Sequence, residues 1–297
     1  MSTRGAAMPP ARSVPSVSLR RLAGHLGGLR TQAGLSQEDV TERTGINRAT
    51  LYRIEAGRSR PQKRTLNALL DLYGLDGPCR DEIVELATNT NQQDWLRPYH
   101  ADLSDQYTAY ISFESEACAV QNFEPMFIPG LLQTEDYARA VIRDIWSAAS
   151  AADVEQHVRA RMERQKRLAG ADPLRLSAVM SEAALRHQVG GPSVMAEQLR
   201  NLLAAAAAPH IDVRVIPFAA GAHPGMLGAF SVMTFPEHSG IAYLDGLAGD
   251  LFLEAESDRV RYTSVFGSLL ATALDHDESL ALIESSLHIL IPEEFSA

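Results

Sequence analysis

The feature that most constrains this chain is a series of short, sharply punctuated helices near its start. Leu19, Leu22, Ala23, Leu26 and Leu29 recur at helical spacing and predict a helix over residues 18–33. Gly34 follows at the position where a glycine stops a helix. Ser36 is placed to cap a second helix that runs to Thr44, with Asp39 three residues on, near the positive helix end. Gly45 stops that helix, Asn47 caps a third over residues 48–56, and Gly57 stops it in turn. Two helices of about nine residues joined by a turn at Gly45, Ile46 and Asn47 have the length and punctuation of a helix-turn-helix.

The third helix is amphipathic in an informative way. Leu51 and Ile54, with Ile46 ahead of them, are spaced to face a core, which turns Arg48, Ala49, Tyr52 and Arg53 outward. In a helix-turn-helix that N-terminal half enters the major groove. Arg48 or Arg53 has the donor pair that matches guanine, a contact that discriminates by roughly 1–3 kcal/mol. Ala49 is small enough to pack on a thymine methyl, and Tyr52 has reach for a base or a phosphate. Arg58, Arg60, Lys63 and Arg64 follow within seven residues and suit phosphate neutralisation. The competing reading is a solvated basic helix in an ordinary bundle. A fourth helix over residues 62–73, after Pro61, carries Leu66, Leu69, Leu70 and Leu72, and a fifth over 78–88 carries Ile83, Val84 and Leu86.

Charge supports the division. The 297-residue chain has a formal charge of −10, which by itself argues against a nucleic-acid binder. Residues 1–64, however, hold 12 Lys and Arg against 4 Asp and Glu, and the rest of the chain holds 15 against 33. A +8 segment is therefore joined to a −18 body. No apolar run approaches the ~20 residues of a membrane span. Cys79 and Cys118 supply neither a disulfide framework nor a metal quartet and fit a reducing cytoplasm. Residues 1–17, with Pro9, Pro10 and Pro15, lack a signal core and read as a disordered leader. Its Arg4 and Arg12 suggest the alternative of an arm that touches DNA.

The stretch GLSQEDVTERTGINRATLYRIEAGRSRP, residues 34–61, resembles the helix-turn-helix of Xre-type, phage-repressor-like transcriptional regulators. The likeness extends through the flanking helices, residues 18–88, as a five-helix DNA-binding domain. It implies that Gln37 grips phosphate and buttresses the recognition helix. It places Arg48, Ala49 and Arg53 at base-facing positions, and Arg30 with Glu55 where the family often has a structural ion pair. Ala49 departs from the polar residue common there, which weakens direct readout at that position. The DNA-contacting set expected is thus Gln37, Asn47, Arg48, Ala49, Tyr52, Arg53, Arg58, Arg60 and Lys63, on double-stranded DNA.

Residues 89–94 are polar and read as a linker, 95–290 as a mixed α/β domain, and 291–297 as a tail. Expected helices cover 107–117, 134–145 (capped by Thr134), 153–168, 181–188, 193–207, 259–273 and 278–287. Expected strands, about five in number, cover 119–123, 174–180, 211–216, 227–235 and 241–245, with 251–253 as a further short one. The helix over 153–168 bears Arg159, Arg161, Arg164, Lys166 and Arg167 and reads as a solvated face pairing with the surplus acids rather than a second DNA surface, because the −18 body repels a duplex. The fold class expected is multidomain: an all-α helix-turn-helix domain followed by a mixed α/β domain.

The runs FIPGLLQTEDYARAVI, SEAALRHQVGGPSVMAEQL and VRVIPFAAGAHPGMLGAF resemble the C-terminal domain common in actinobacterial Xre-type regulators, especially of Streptomyces. That domain has no settled chemistry. The resemblance implies a partner encoded nearby, a small acidic protein; the helix-turn-helix, which reads two half-sites, predicts a homodimer, cytoplasmic and nucleoid-associated. No phosphate-cradling loop, no G-x-S-x-G elbow and no H-x-x-x-H pair occurs, so neither enzyme activity nor a metal or other cofactor is expected. Glu182, His223 and Asp245 sit at expected strand ends or in the glycine-rich GAHPGMLG segment and are the candidates for a ligand or partner site. The bland reading of each is a turn-former or scaffold. Three functions remain: a DNA-binding regulator, an antitoxin or adaptor for a small protein, and a DNA-addressed enzyme.

Overall fold

The computed structural model describes residues 17–88, 103–145, 150–236, 240–246 and 249–290. The expected leader up to residue 16, the linker at 89–94 and the tail at 291–297 lie outside the described residues. The chain divides into two compact units, one built from the N-terminal helices with Ser104–Ser112, the other from Phe113 onward.

The first unit is helical: α1 (Val17–Gln32), α2 (Gln37–Thr44), α3 (Arg48–Glu55), α4 (Lys63–Leu72) and α5 (Pro78–Thr88). Local chemistry sets these boundaries. Ser36 Oγ accepts from Asp39 N at 3.1 Å while Asp39 Oδ2 accepts from Ser36 N at 2.8 Å, so two orphan amides of α2 are satisfied reciprocally. These bonds hold the Asp39 carboxyl below the usual carboxylate range. Gly45 ends α2 at φ 70°, a left-handed conformation that disfavours any residue with a Cβ. Asn47 Oδ1 accepts from Ala49 N at 2.9 Å and starts α3. The fourth helix begins at Lys63 rather than Gln62, whose backbone is extended. Leu22, Leu26, Val40, Leu51, Ile54, Leu66, Leu69 and Leu70 form the core of this unit.

The helix α6 (Asp105–Glu116) precedes the sheet-bearing part of the chain, which contains β1 (Ala119–Glu124), α7 (Glu135–Ile145), α8 (Ala151–Gln165), β2 (Arg175–Ser181), α9 (Ala183–Arg186), α10 (Pro192–Ala206), β3 (Ile211–Ile216), β4 (Phe230–Thr234), β5 (Ile241–Leu244), β6 (Leu251–Leu253), α11 (Glu256–Thr272) and α12 (His276–Leu290). Six strands form one sheet in the order β3-β2-β1-β4-β5-β6. The first three run parallel, with Val120 opposite Leu176 and Ala178 opposite Val213. The next three turn back antiparallel in sequence. Parallel strands need long crossovers, and α7 with α8, then α9 with α10, supply them. Phe123, Val179, Phe230, Val232 and Ala242 pack against Phe266 and Leu269 of α11, each of which gains roughly 1.5–3 kcal/mol from burial. The outer edge of β3 is closed: Val215 N donates to Ser279 Oγ at 3.0 Å, and Leu274 N donates to Val215 O at 2.9 Å.

Several local expectations shift. The apolar run 227–235 becomes a strand only from Phe230, because Pro224–Leu227 forms a 3-10 turn and Gly228 lies at φ 135°. The helix expected over 181–188 is a single turn, Ala183–Arg186, ended by the extended His187. The helix expected from Asp153 begins at Ala151, because Ser150 and Asp153 form a second reciprocal cap.

The basic face expected on that helix is not wholly solvated. Arg164 is buried, and its Nε and Nη2 each donate to Glu114 at 2.7 Å. Arg161 Nη1 donates to Gln133 Oε1 at 2.8 Å, and Arg167 Nη2 to Ala117 O at 3.2 Å. Around residues 128–134 the backbone is gripped by side-chain amides. Gln133 donates to Ile128 O at 2.7 Å. Gln198 and Asn201 donate to Leu132 O, and Gln165 to Gly130 O and Gln133 O. Gln198 Oε1 in turn accepts from Thr134 N. Buried backbone that lacks a ladder must find such partners. No described helix is long and apolar enough to cross a membrane.

Candidate nucleic-acid interface

The turn between α2 and α3 presents one side of α3 to solvent because the other side is consumed by the core. Leu51 is 0% and Ile54 1% exposed, so Arg48, Ala49, Tyr52 and Arg53 all stand on the exposed face. Arg58 joins them, its guanidinium 5.8 Å from the centre of the Tyr52 ring, a cation–π distance. Arg53 Nη2 reaches Thr50 Oγ1 at 3.4 Å, a long contact that leaves most of its donors unused. Arg48 Nη1 lies 3.0 Å from Glu38 Oε1 at the start of α2. Lys63 and Arg64 are exposed at the start of α4.

Beneath this surface a carboxylate organises the two helices. Glu55, with its side chain 8% exposed, accepts from Arg30 Nε and from Gln37 Nε2, each at 2.7 Å. Arg30 Nη1 also donates to Leu35 O at 2.8 Å. The bond to Glu55 raises the pKa of Arg30 above its ordinary value. Tyr73 packs nearby, and burial pushes its hydroxyl up to about 12. The Arg30–Glu55 pair suggested by the family likeness is therefore formed. Gln37 sits where it steadies α3 from the first turn of α2.

Arg60 is exposed like its basic neighbours and also makes a structural contact. Its Nη1 donates to Ala87 O at 3.0 Å, in the last turn of α5, where the helix carbonyls favour a cation. That bond ties the segment after α3 to the last turn of α5, and the Arg60 residue stays exposed. The residue that sequence reasoning missed on this surface is Glu38. Its sign was legible, but its nearness to Arg48 depends on the angle between the two helices.

Glu182, His223 and Asp245 are less unified. Glu182 accepts from Phe218 N at 2.9 Å and pairs with Arg186 at 2.9 Å, which is scaffold geometry. The His223 ring meets Phe123 edge-on at 6.0 Å, and burial holds its pKa below the ordinary value, so it is neutral at pH 7. Asp245 lies just past β5 and raises its neighbour Asp250, whose carboxyl is pushed up first by burial. Among the described residues no hydrogen bond joins any two of the three. A fourth group, Glu124 at the end of β1, is pushed up to about 7 by burial, with Asp245 adding to the effect. Its signal in sequence was an acid directly after Phe123 at the end of the expected strand. Among the described residues, no three His, Cys, Asp or Glu side chains are placed to hold a metal ion.

Capped helices, a buried buttress and an exposed basic face define a helix-turn-helix protein, the DNA-binding class. The comparisons agree: residues 21–83 match the model of a family described as a helix-turn-helix domain. Residues 107–285, more than half of the chain, match a domain of unknown function, DUF5753, and the chain belongs to that family. No curated protein and no solved structure matches the chain.

Proposed function

We propose that the chain is a sequence-specific DNA-binding regulator of transcription that works as a homodimer through binding rather than catalysis. The observation that carries this reading is the Arg48, Tyr52 and Arg53 face. It stands exposed on a helix whose opposite face is buried and whose last turn is fixed by Glu55. Pairing two such domains sets two recognition helices about one DNA turn apart, the spacing that half-sites require. The α/β domain then has the role of joining the two copies or receiving a partner or ligand. Its excess of acid keeps it off the phosphates and leaves the duplex to the +8 segment.

The test is a titration of the full chain against genomic fragments, with an Arg48→Ala/Arg53→Ala double variant beside it. Selective binding lost in the double variant, with its helical circular dichroism retained, is the expected result. Undiminished selectivity in that variant removes the recognition helix from consideration.

A further inference from the structure

We infer that the border of the sheet where β1 and β3 end is the surface on which a second copy of this chain docks. This rests on the homodimer in the reading above and adds to it the face that makes the contact. The segments that follow β1, β2 and β3 are tied together there. His187, just past α9, has its Nδ1 3.4 Å from Met126 O. Glu182 Oε2 accepts from Phe218 N at 2.9 Å, and Glu182 N donates to Ile216 O at 2.9 Å. The turn Pro224–Leu227 lies against the Phe123 ring, so close that a Cβ on Gly225 would overlap it.

Four large apolar side chains stand out from this border. Met126 is 45% exposed, Phe218 62%, Met226 69% and Leu227 95%. At roughly 200 Å² for a large side chain, they leave on the order of 500 Å² of apolar surface in water. A patch of that size is the mark of an interaction site. Doubled by the same patch on a second copy, it buries roughly 1,000 Å², where a specific interface begins. A two-fold contact uses one patch on both partners, so no further surface is required. Docking strands no charge at Glu182, beneath Phe218, because Oε1 is engaged by Arg186 and Oε2 by Phe218 N. The side borders of the sheet are poorer candidates. That of β3 is closed by Leu274 and Ser279. That of β6 holds Leu251–Leu253 between Asp250 and Glu254, and pairing it with its own copy about Phe252 sets those two acids opposite each other.

The experiment is sedimentation equilibrium on the full chain without DNA, in wild-type, Leu227→Glu, Phe218→Glu and Ile289→Glu forms, with circular dichroism on each. The wild type is expected as a dimer. Leu227→Glu and Phe218→Glu, on separate turns of the same border, are each expected to weaken the dimer by about a hundredfold or more, because a carboxylate must be buried there. Both side chains face solvent in the single chain, so the helical signal is expected to stay. Ile289→Glu places the same charge at an exposed site near the end of α12 and is expected to leave the dimer intact. A wild type that stays monomeric up to about 100 μM overturns the inference and gives the patch to a different partner. A dimer that survives both border variants also overturns it, as does one weakened equally by Ile289→Glu. The DNA-binding reading is judged separately by the fragment titration above: a wild type that selects no sequence overturns that reading and leaves the dimer measurement standing.

Discussion

Removing the Glu55 carboxylate tests the architecture of the helical unit most directly. Glu55→Ala leaves Arg30 Nε and Gln37 Nε2 without the oxygens they now reach at 2.7 Å. Deleting one partner of a buried pair costs about 3–5 kcal/mol. Arg30 is 20% exposed and keeps its bond to Leu35 O, so water and a carbonyl still satisfy part of the guanidinium. That brings the expected cost to about 2–3 kcal/mol, near the value of a charged hydrogen bond. A domain of this size has a total stability of roughly 4–10 kcal/mol, so a large share is lost. Hydrogen exchange on the full chain, read at the amides of Val40, Leu51 and Leu66, isolates this unit. Protection should fall by about 30- to 150-fold. The double variant Arg30→Met/Glu55→Leu removes both charges together and should recover most of that protection, because no unpaired ion remains. A drop of less than about fivefold in Glu55→Ala would show that the pair does not organise the unit.

Four further outcomes follow from other contacts. Alanine at Arg58 or at Lys63 should lower the salt dependence of DNA binding by about one counterion each, measured as the slope of affinity against salt. Arg60→Ala should leave that slope nearly unchanged and instead reduce exchange protection in α5, because its guanidinium serves Ala87 O. Gly225→Ala should destabilise the α/β unit by roughly 1–3 kcal/mol in urea unfolding, since a Cβ there overlaps the Phe123 ring. The raised Glu124 carboxyl makes the folded unit bind a proton more tightly than the unfolded chain. The Glu124 contribution to stability should therefore be full below 4.5 and be lost as pH rises toward about 7; Glu124→Gln should remove that component from pH-dependent melts.

The sequence was most legible where structure is decided within a few residues. Ser36 with Asp39, Asn47 and Gly45 act across one helical turn, so both helices of the motif and the exposed face of α3 could be read directly. The strict alternation of residues 211–216 likewise fixed β3. Legibility failed where a partner lies far along the chain. Arg164 reads as one more surface cation until Glu114, 50 residues away, closes on it. The bond from Arg60 to Ala87 O, 27 residues away, had no local signal either. Strand order was hidden for the same reason, since β1 pairs with β2 and β4 across long crossovers and no local pattern encodes that choice. Glu38 is an intermediate case: the charge was visible, and the contact needed the turn geometry.

The amide side chains around residues 128–134 have a consequence for how the protein ages. None of these amides titrates, so their own bonds do not change with pH. The segment's weakness is chemical instead. Hydrolysis of the Gln198 amide to glutamate exchanges one atom, yet the donor that serves Leu132 O becomes an acceptor facing an acceptor. The new charge would lie at a site that is 0% exposed. A change of about one mass unit and one charge should therefore release the backbone between β1 and α7.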